Sequence, residues 1–433
     1  MNRIKYLSLF FGFFAALILS ACQTGSGYSA ARVWNYPSAS APAQQAPSTL
    51  SDTTQTTAEQ PANVQKAAPM PPVKVALLLP LSGQHQALGQ AMLNAAQLAL
   101  FDVAHDNFEL LPHDTGGTAD GARNAARAVL AQGADLILGP VFADSVRAVK
   151  PIAQRARVSV IAFSTDWATA GDNTYIMGFL PFDQVERLAR YTSQHNTGRV
   201  AILAPRNDYG RVVTSAWQST TSRLGTPPAQ VTEFSQGESN LAPVLRDFTA
   251  YDERVRIAGE QGVSTAQLQP PFDAVLMPVG GETALSIGNL LNHYDLSPRQ
   301  VKRLGTGLFD DDALATEGSL NGAWFAAPSP KLRKTFEQRY MNTYSASAPR
   351  LASLAYDATA LAAVLAQRGF QTSGQADFSA TAIGNPNGFA GIDGIFRFRS
   401  NGTAERGLAI LEFNNGKIRV LDDAPQTFQN LGY

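Results

Sequence analysis

Apolar residues recur along the chain from Val73 onwards in two alternating patterns, and this alternation predicts the fold. Short, nearly continuous apolar runs such as 73–79 are typical of strands that are buried on both faces of a sheet. Longer stretches that carry apolar residues at helical spacing, such as 84–104, follow these runs and predict helices. Strands that alternate with helices indicate βαβ units and a parallel sheet.

The strand and helix signals continue in this order to about residue 305. The predicted strands lie at 73–79, 108–113, 136–139, 159–162, 199–203, 230–234, 273–277 and 301–305. The predicted helices lie at 84–104, 118–132, 143–155, 181–194, 209–223 and 281–294, with a further helix from about residue 241. With the C-terminal strands the total is about ten, which is large for one open twisted sheet. The pattern therefore favours two sheets, each in a lobe of its own.

The C-terminal part follows a different pattern. Helices are predicted at 330–344 and 351–368, and apolar and basic residues then alternate over 395–398. Asn414-Asn415-Gly416 is a strong hairpin signal between strands near 407–413 and 417–421. Such alternation predicts antiparallel strands with one solvated face.

The first 22 residues are typical of an exported protein. Arg3 and Lys5 precede an uncharged run at 6–19, which is short for a membrane-spanning helix and fits a secretory signal peptide. The run ends at Leu19-Ser20-Ala21-Cys22, which resembles the bacterial lipobox, so Cys22 is the predicted lipidation site. Cys22 is the only cysteine of the chain and has no intramolecular disulfide partner. The alternative is an ordinary signal peptide with a chance cysteine.

Residues 23–72 differ from the rest, because Ser, Thr, Ala, Gln and Pro dominate there. Apolar side chains are too sparse to offset the entropy lost on folding, so we predict a disordered tether. A flexible chain of this length has a root-mean-square span of about 40 Å and a stretched reach of about 160 Å. In Gram-negative lipoproteins an aspartate after the acylated cysteine usually means retention at the inner membrane. Gln23 therefore favours the periplasmic face of the outer membrane.

Composition and motifs exclude several classes of function. The chain has 433 residues, 45% of them hydrophobic, which suffices for a large core and is too much chain for one lobe. Its 34 Lys and Arg residues balance 35 Asp and Glu residues, so there is no basic excess for nucleic acid. No G-x-S-x-G, H-E-x-x-H or P-loop is present. The pairs His105-Asp106 and His113-Asp114 fall at element ends, and we expect no enzyme activity, cofactor or metal.

Several short motifs, taken in order, resemble the branched-chain amino-acid group of the type I periplasmic binding proteins. They are Pro80-Leu81-Ser82-Gly83 with Leu88-Gly89, Leu138-Gly139-Pro140-Val141, Ala162-Phe163-Ser164-Thr165, Asn207-Asp208-Tyr209-Gly210-Arg211, Leu354-Ala355-Tyr356-Asp357-Ala358, and Phe389-Ala390-Gly391-Ile392-Asp393-Gly394 with Asn401-Gly402. No single motif is specific for this group of proteins. The order and spacing of the motifs from about residue 73 to residue 425 are specific for it.

This resemblance implies an α/β fold of two doubly wound, parallel-sheet lobes joined by a three-strand hinge, within a domain at 73–433. Lobe one is expected at about 73–180 and 328–378, and lobe two at about 181–327 and 379–433. The ligand is expected in a cleft between the lobes, which closes around it.

Within that family, Phe272–Gly280 (Phe272-Asp273-Ala274-Val275-Leu276-Met277-Pro278-Val279-Gly280) and Ala284-Leu285 are most similar to the penicillin-binding-protein activators. Those are lipoproteins that dock on peptidoglycan synthases, so the resemblance implies a class A penicillin-binding protein as partner. Some activators carry a helical-repeat domain before the binding domain, whereas this chain has only the predicted tether. This departure leaves the identity of the synthase open.

Candidate ligand-binding residues follow from the expected cleft, because ligands of open α/β sheets bind beyond the carboxyl ends of the strands. An amino-acid carboxylate would be bound by backbone N–H groups at helix N-termini and by hydroxyl donors. An amine would be bound by an acid, and an aromatic ring could cover the ligand. The candidates are Ser82, Phe142, Ala143, Ser164, Thr165, Tyr209, Glu282 and Asp310.

Each candidate also has a purely structural interpretation. Ser82 and Ser164 suit helix caps, and an acid at Glu282 is favoured in the first turn of a helix. Of the consecutive acids that begin at Asp310, at most one should contact a ligand. Asp166, next to Thr165, would repel a carboxylate, which argues against an ordinary amino-acid ligand.

Two functions therefore compete. The first is an outer-membrane lipoprotein that regulates a peptidoglycan synthase as a penicillin-binding-protein activator. The second is a substrate-binding protein of an ABC transporter for branched-chain amino acids or related amides, with a small amino-acid-like ligand. Fold alone does not decide between them.

Overall fold

The computed structural model describes residues 72–103, 107–235, 237–238 and 240–428. The predicted signal peptide, Cys22, nearly the whole tether and the His105-Asp106 pair lie outside the described residues. None of the described helices is both long and apolar enough to cross a membrane.

Helices and strands alternate through most of the described chain. The strands are β1 (Val73–Leu79), β2 (Phe108–Asp114), β3 (Leu136–Leu138), β4 (Ser159–Ala162), β5 (Thr174–Ile176), β6 (Val200–Pro205), β7 (Gln230–Phe234), β8 (Ala274–Met277), β9 (Lys302–Gly305), β10 (Trp324–Ala327), β11 (Phe389–Gly391), β12 (Gly394–Phe398), β13 (Ala404–Arg406), β14 (Ala409–Asn414) and β15 (Lys417–Asp422). The α-helices are α1 (Gln86–Val103), α2 (Ala119–Ala131), α3 (Ala143–Ala156), α4 (Pro181–Gln194), α5 (Asp208–Arg223), α6 (Ala242–Phe248), α7 (Tyr251–Gln261), α8 (Gly281–His293), α9 (Asp312–Ala315), α10 (Pro330–Tyr344), α11 (Ala352–Ser373) and α12 (Ala380–Ile383).

Lobe one is built on a parallel sheet with the strand order β2-β1-β3-β4-β5. Strand β1 pairs with β2 on one side and with β3 on the other. Its residues from Val75 to Leu79 are fully buried, and their side chains belong to two core clusters, one on each face of the sheet. Burial on both faces explains the continuous apolar run in the sequence.

Lobe two is built on a second sheet with the order β15-β14-β10-β9-β8-β6-β7. Strands β6 to β10 run parallel, and β14 and β15 form an antiparallel hairpin at one edge. Asn415 and Gly416 at the hairpin turn both have positive φ, as a type I′ turn requires. These two sheets confirm the predicted α/β class with two parallel-sheet lobes.

A third, antiparallel sheet of β11, β12 and β13 was not expected. The inward side chains Phe389, Phe396 and Phe398 are buried in the core cluster of lobe one, and the rings of Tyr175 and Phe398 are 5.2 Å apart. The prediction that lobe two resumes at residue 379 is therefore wrong. The apolar face of the small sheet extends lobe one to about Ala404.

The chain passes between the lobes at three places. Leu180 is buried in lobe one and Val185 in lobe two. Ala327 is buried in lobe two, whereas Phe336 is buried in lobe one. The third passage follows β13, because Leu408 is already packed in lobe two. It lies about 30 residues later than the predicted position near 378.

Local sequence explains how the elements begin and pack. The Thr118 hydroxyl caps α2 by accepting the backbone N–H of Gly121, and Asn207 caps α5 in the same way through Gly210. At Gly89 a Cβ atom would lie 2.0 Å from the Pro80 carbonyl oxygen. A glycine is thus required for α1 to approach the loop after β1, and this loop lies at the edge where the cleft forms.

Candidate functional site

A cavity of about 610 Å³ lies between the two lobes, beyond the carboxyl ends of β4 to β10. Its polar or charged lining residues are Thr165, Gln184, Asn207, Tyr209, Thr283, Asp310 and Arg350. Its large apolar lining residues are Trp167, Phe179, Phe234, Val279 and Leu308. The parallel strands of both sheets point towards this space, which is where α/β sheets bind ligands. The cavity is thus the candidate site.

The structure brings three of the predicted site residues together at this cavity: Thr165, Tyr209 and Asp310. The other five described candidates do not line it. They are Ser82, Phe142, Ala143, Ser164 and Glu282.

The two serines make contacts within lobe one. Ser82 is exposed and lies against Asp114, whose carboxylate accepts the backbone N–H groups of Leu81, Ser82 and Gly116. Burial opposes ionisation, but these hydrogen bonds and that of the Ser82 hydroxyl lower the pKa of Asp114. The Ser164 hydroxyl is buried and accepts the backbone N–H of Asp166 at 3.0 Å. Asp114 and Ser164 therefore order the loops after β2 and β4.

The remaining three candidates occupy helix N-termini. Phe142 is the N-cap residue of α3, with its ring 4.6 Å from that of His85, and Ala143 is the first residue of that helix. Glu282 is exposed in the first turn of α8. Its neighbour Thr283 faces the cavity instead, because adjacent helical residues point about 100° apart.

Asp166 is not the free negative charge that its position in the sequence suggests. Arg147 of α3 forms an ion pair with its carboxylate, whose other oxygen accepts the backbone N–H of Ala168. The repulsion predicted between Asp166 and a bound anion is therefore offset in part by a partner 19 residues away. No local sequence pattern identifies that partner.

Tyr209 forms one polar wall of the cavity in lobe two. Its hydroxyl donates to Thr306 Oγ1 at 2.8 Å. Burial raises the pKa of Tyr209 to about 12, so the phenol is neutral at physiological pH. Nearby, Gln184 Oε1 accepts the backbone N–H of Gly307 at 2.7 Å and fixes the turn that precedes Asp310. Tyr209 can thus pack against a ligand, but its O–H is already engaged.

Asp310 is buried in an ion-pair cluster with Arg333 and Arg350, which we call the interlobe cluster. Arg333 contacts both carboxylate oxygens, with Nη2 3.1 Å from Oδ1, and Arg350 Nε lies 3.3 Å from Oδ2. The Asp310 side chain is 4% exposed. Burial disfavours the charge of Arg333, but the Asp310 carboxylate raises its pKa overall. Both carboxylate oxygens of Asp310 are therefore already engaged by guanidinium groups, with which an ammonium group in the cavity would have to compete.

Phe179 lies between two arginines at the back of the cavity. The guanidinium carbon of Arg350 is 4.1 Å from the ring centroid, and that of Arg406 is 4.8 Å from it. Both contacts are cation–π interactions. The exposed part of Arg350 is the positively charged element of the cavity wall, and sequence reasoning did not find it.

Behind this wall lies a second group of buried charges, Asp357, Asp393 and Arg406, which we call the core cluster. Although burial alone would raise it, the pKa of Asp393 is lowered by Arg350 and Arg406, and the Ser353 hydroxyl donates to its carboxylate at 2.6 Å. Burial, followed by the charge of Asp393, raises the pKa of Asp357 to about 7. The motifs around Asp357 and Asp393 were recognised, but not this contact between them.

The lining of the cavity offers packing surface and hydrogen-bonding groups. Among the described residues, no group of three or more His, Cys, Asp and Glu side chains could hold a metal ion. In the His113-Asp114 pair noted in the sequence, the His113 ring nitrogen Nε2 lies 3.1 Å from the side-chain amide nitrogen of Gln132. The cavity presents aromatic surface, a few hydroxyl and amide groups, and one ion-paired guanidinium.

Comparisons with known proteins agree with this architecture. A family model described as periplasmic binding protein matches residues 72–417. The fold is similar to that of a leucine-binding protein from Thermotoga maritima, with 21% identity, a TM-score of 0.55, and coverage of 80% of this chain and 97% of the other. The branched-chain amino acid transporter substrate-binding protein of Streptococcus pneumoniae, in complex with isoleucine, has 19% identity and a TM-score of 0.56, with coverage of 82% and 100%. These likenesses confirm the type I periplasmic binding fold predicted from the motifs.

One curated relative matches only part of this chain. An uncharacterised protein of Rickettsia prowazekii is 22% identical over 147 residues, which are 34% of this chain. The match spans 39% of that relative's length.

Proposed function

This chain belongs to the periplasmic binding protein family, and we propose that it acts at the bacterial envelope as a penicillin-binding-protein activator. In this role the two-lobed domain binds a class A penicillin-binding protein and regulates its synthesis of peptidoglycan. We propose a binding function without catalysis.

The occupied state of Asp310 carries this proposal. An α-amino acid needs an acid for its ammonium group and donors for its carboxylate. Asp310 is paired with Arg333 and Arg350, and Ser164 is bonded to the backbone of Asp166. The groups that would recognise a free amino acid are thus used within the protein, which favours a cleft adapted to another purpose.

The N-terminal sequence supports a place at the membrane. Acylation of Cys22 would anchor the chain, and Gln23 favours the periplasmic face of the outer membrane. The tether at 23–72 would let the domain reach through the periplasm to a synthase in the opposite membrane. A Cys22→Ala variant should lose lipid labelling and move from the membrane fraction to the soluble periplasmic fraction.

Binding to a class A penicillin-binding protein can be tested directly. Surface plasmon resonance with the full chain in detergent should give saturable binding to the ectodomain of a class A penicillin-binding protein from the same bacterium. The rate of glycan polymerisation or cross-linking by that enzyme should rise several-fold. If no class A enzyme binds and no rate changes, the activator function is rejected.

A second candidate is the substrate-binding protein of an ABC transporter. The cavity of about 610 Å³ favours it, because ligand pockets of small molecules have this size. Its structural relatives include proteins for leucine and isoleucine. A thermal-shift screen against amino acids, small amides and muropeptides tests it. A ligand at a thousand times its dissociation constant stabilises the protein by about 4 kcal/mol, and a hit on a free amino acid would favour transport.

A further inference from the structure

The three members of the interlobe cluster come from both lobes, and two of them, Asp310 and Arg350, line the cavity. Asp310 follows Phe309 and precedes Leu314, and both of these neighbours are buried in the core of lobe two. Arg333 lies on α10, whose residue Phe336 is buried in the core of lobe one. The Asp310–Arg333 and Asp310–Arg350 ion pairs therefore connect the lobes directly.

Arg350 is fixed from the side of lobe one. Its Nη1 atom lies 3.0 Å from Asp393 Oδ1 and donates to the Ser353 hydroxyl at 3.1 Å. Its planar face rests on Phe179. These contacts do not involve Asp310, so they would hold Arg350 in position if the lobes separated.

Arg333 supplies the second half of the arrangement. Two of its nitrogens meet the two oxygens of the Asp310 carboxylate, which is the forked geometry in which guanidinium groups recognise planar carboxylates. Glu337, one turn further along α10, lies 3.5 Å from Arg333 Nε and orients the side chain from behind. The two arginines thus form a cradle on lobe one that is complementary to a single carboxylate.

We propose that Arg333 and Arg350 form a carboxylate-binding site on lobe one, and that Asp310 of lobe two occupies it as a built-in ligand that latches the lobes together. A ligand or partner segment that carries a carboxylate takes the same site when Asp310 leaves it. The cavity therefore selects anionic occupants and couples their binding to release of the latch. This inference does not depend on which partner the protein regulates.

The decisive experiment is chemical rescue of the full chain. Asp310→Ala removes the carboxylate but keeps the Cβ atom, so sodium formate replaces the missing group and sodium acetate a slightly larger one. Melting temperatures are measured in formate or acetate and compared with those in chloride at equal ionic strength. Formamide, which has the shape of formate without its charge, is the neutral control. Asp312→Ala is the matched variant, since Asp312 is exposed at the start of α9.

Rescue of Asp310→Ala by formate, with a melting temperature about 2 °C or more above that in chloride, is the expected result. Wild-type protein and Asp312→Ala should show less than half of that rise, and formamide should have no such effect. An equal response of all three proteins to formate would overturn the proposal.

A second variant covers the case in which Asp310→Ala does not fold. Asp310→Asn keeps the shape of the side chain but cannot form the ion pairs. Backbone hydrogen exchange at 177–184 and 404–408, where the chain passes between the lobes, should accelerate several-fold relative to Asp312→Asn. The radius of gyration from small-angle X-ray scattering should also increase. Unchanged exchange and an unchanged radius would show that Asp310 does not latch the lobes.

Discussion

The interlobe cluster and the core cluster are both made of buried aspartates and arginines, yet they differ in how completely their charges are compensated. In the interlobe cluster one carboxylate, Asp310, receives two guanidinium groups, and among its described atoms only Arg333 Nε is buried without a hydrogen-bond partner. In the core cluster Asp357 Oδ2 and the Nε and Nη1 atoms of Arg406 are buried without a hydrogen-bond partner among the described residues. The first cluster joins two lobes, whereas the second lies within one.

The difference shows what each cluster can do. A compensated ion pair between two movable bodies can be opened, because water enters the gap and hydrates both charges. Water does not reach a cluster inside one core in this way, so its charge changes by protonation instead. Asp357 accordingly has a pKa near neutrality, whereas the interlobe cluster changes by moving apart.

The largest expected effect comes from breaking the core cluster. Arg406→Met removes a buried cation whose charge interacts with Asp393, Asp357 and Asp183, and leaves Asp393 with one arginine fewer. We expect a loss of about 3–5 kcal/mol in the free energy of unfolding, measured by urea denaturation. Arg419→Met, which removes an exposed partner of Glu412, is the control. A loss below about 1 kcal/mol would contradict the burial argument.

A pH series sharpens the comparison. Asp357 holds its proton in the folded state up to a pKa of about 7, but releases it in the unfolded state near the ordinary aspartate pKa of 3.8. The folded state therefore binds more protons between these values, and stability falls as the pH rises through them, by about 1.4 kcal/mol for each unit.

Asp357→Asn mimics the protonated acid, so this variant should not lose stability as the pH rises. Its free energy of unfolding, relative to wild type, should rise by about 2–3 kcal/mol between pH 5 and pH 7, as measured by urea denaturation at each pH. Asp377→Asn, which changes a partly exposed residue outside the helices and strands, should show no such trend. A flat difference between Asp357→Asn and wild type would show that Asp357 is ionised in both states.

Removal of a cation from the interlobe cluster should cost less than removal from the core. Arg333→Met leaves Asp310 with Arg350 alone, but the lobes can separate and expose the carboxylate to water. We expect a loss of about 1–2 kcal/mol in the free energy of unfolding, with an increased radius of gyration in X-ray scattering. A loss equal to that of Arg406→Met, without expansion, would remove the distinction between the clusters.

The smallest effect is expected at an exposed ionic group. Arg256 pairs with Glu253 and Glu260 on the surface of α7, and its side chain is 55% exposed. Because solvent screens such pairs, Arg256→Ala should leave the free energy of unfolding, measured by urea denaturation, indistinguishable from that of wild type. A measurable loss would mean that ion pairing, rather than burial, sets the scale of the other effects.

Much of the architecture was predictable from the order of residues alone. The limits predicted for the helices at 181–194 and 330–344 agree with those of α4 and α10. Strands β5, β10, β11 and β13 were missed, although the equally short β3, β4, β8 and β9 were predicted. The small sheet was assigned to the wrong lobe, since alternation shows that a strand has a buried face but not what covers it.

The candidate site was predicted less completely. Thr165, Tyr209 and Asp310 were found because they follow strands, and the carboxyl ends of parallel strands converge. Arg333 and Arg350 follow Asp310 by 23 and 40 residues, and they lie on α10 and just before α11 in the other lobe. Nothing near them in the sequence indicates an anion partner.

The sequence by itself thus determined most of the segments that become strands and helices, that two parallel sheets form, and at which sheet edge a ligand would bind. These properties depend on local periodicity and on the burial that it implies. Only the tertiary structure decided which charges meet across the cavity, which of them stay ionised, and that the acid expected to bind a ligand is already bound. Those outcomes depend on distances between residues far apart in the chain, and on a desolvation cost that exists only once the core has closed around them.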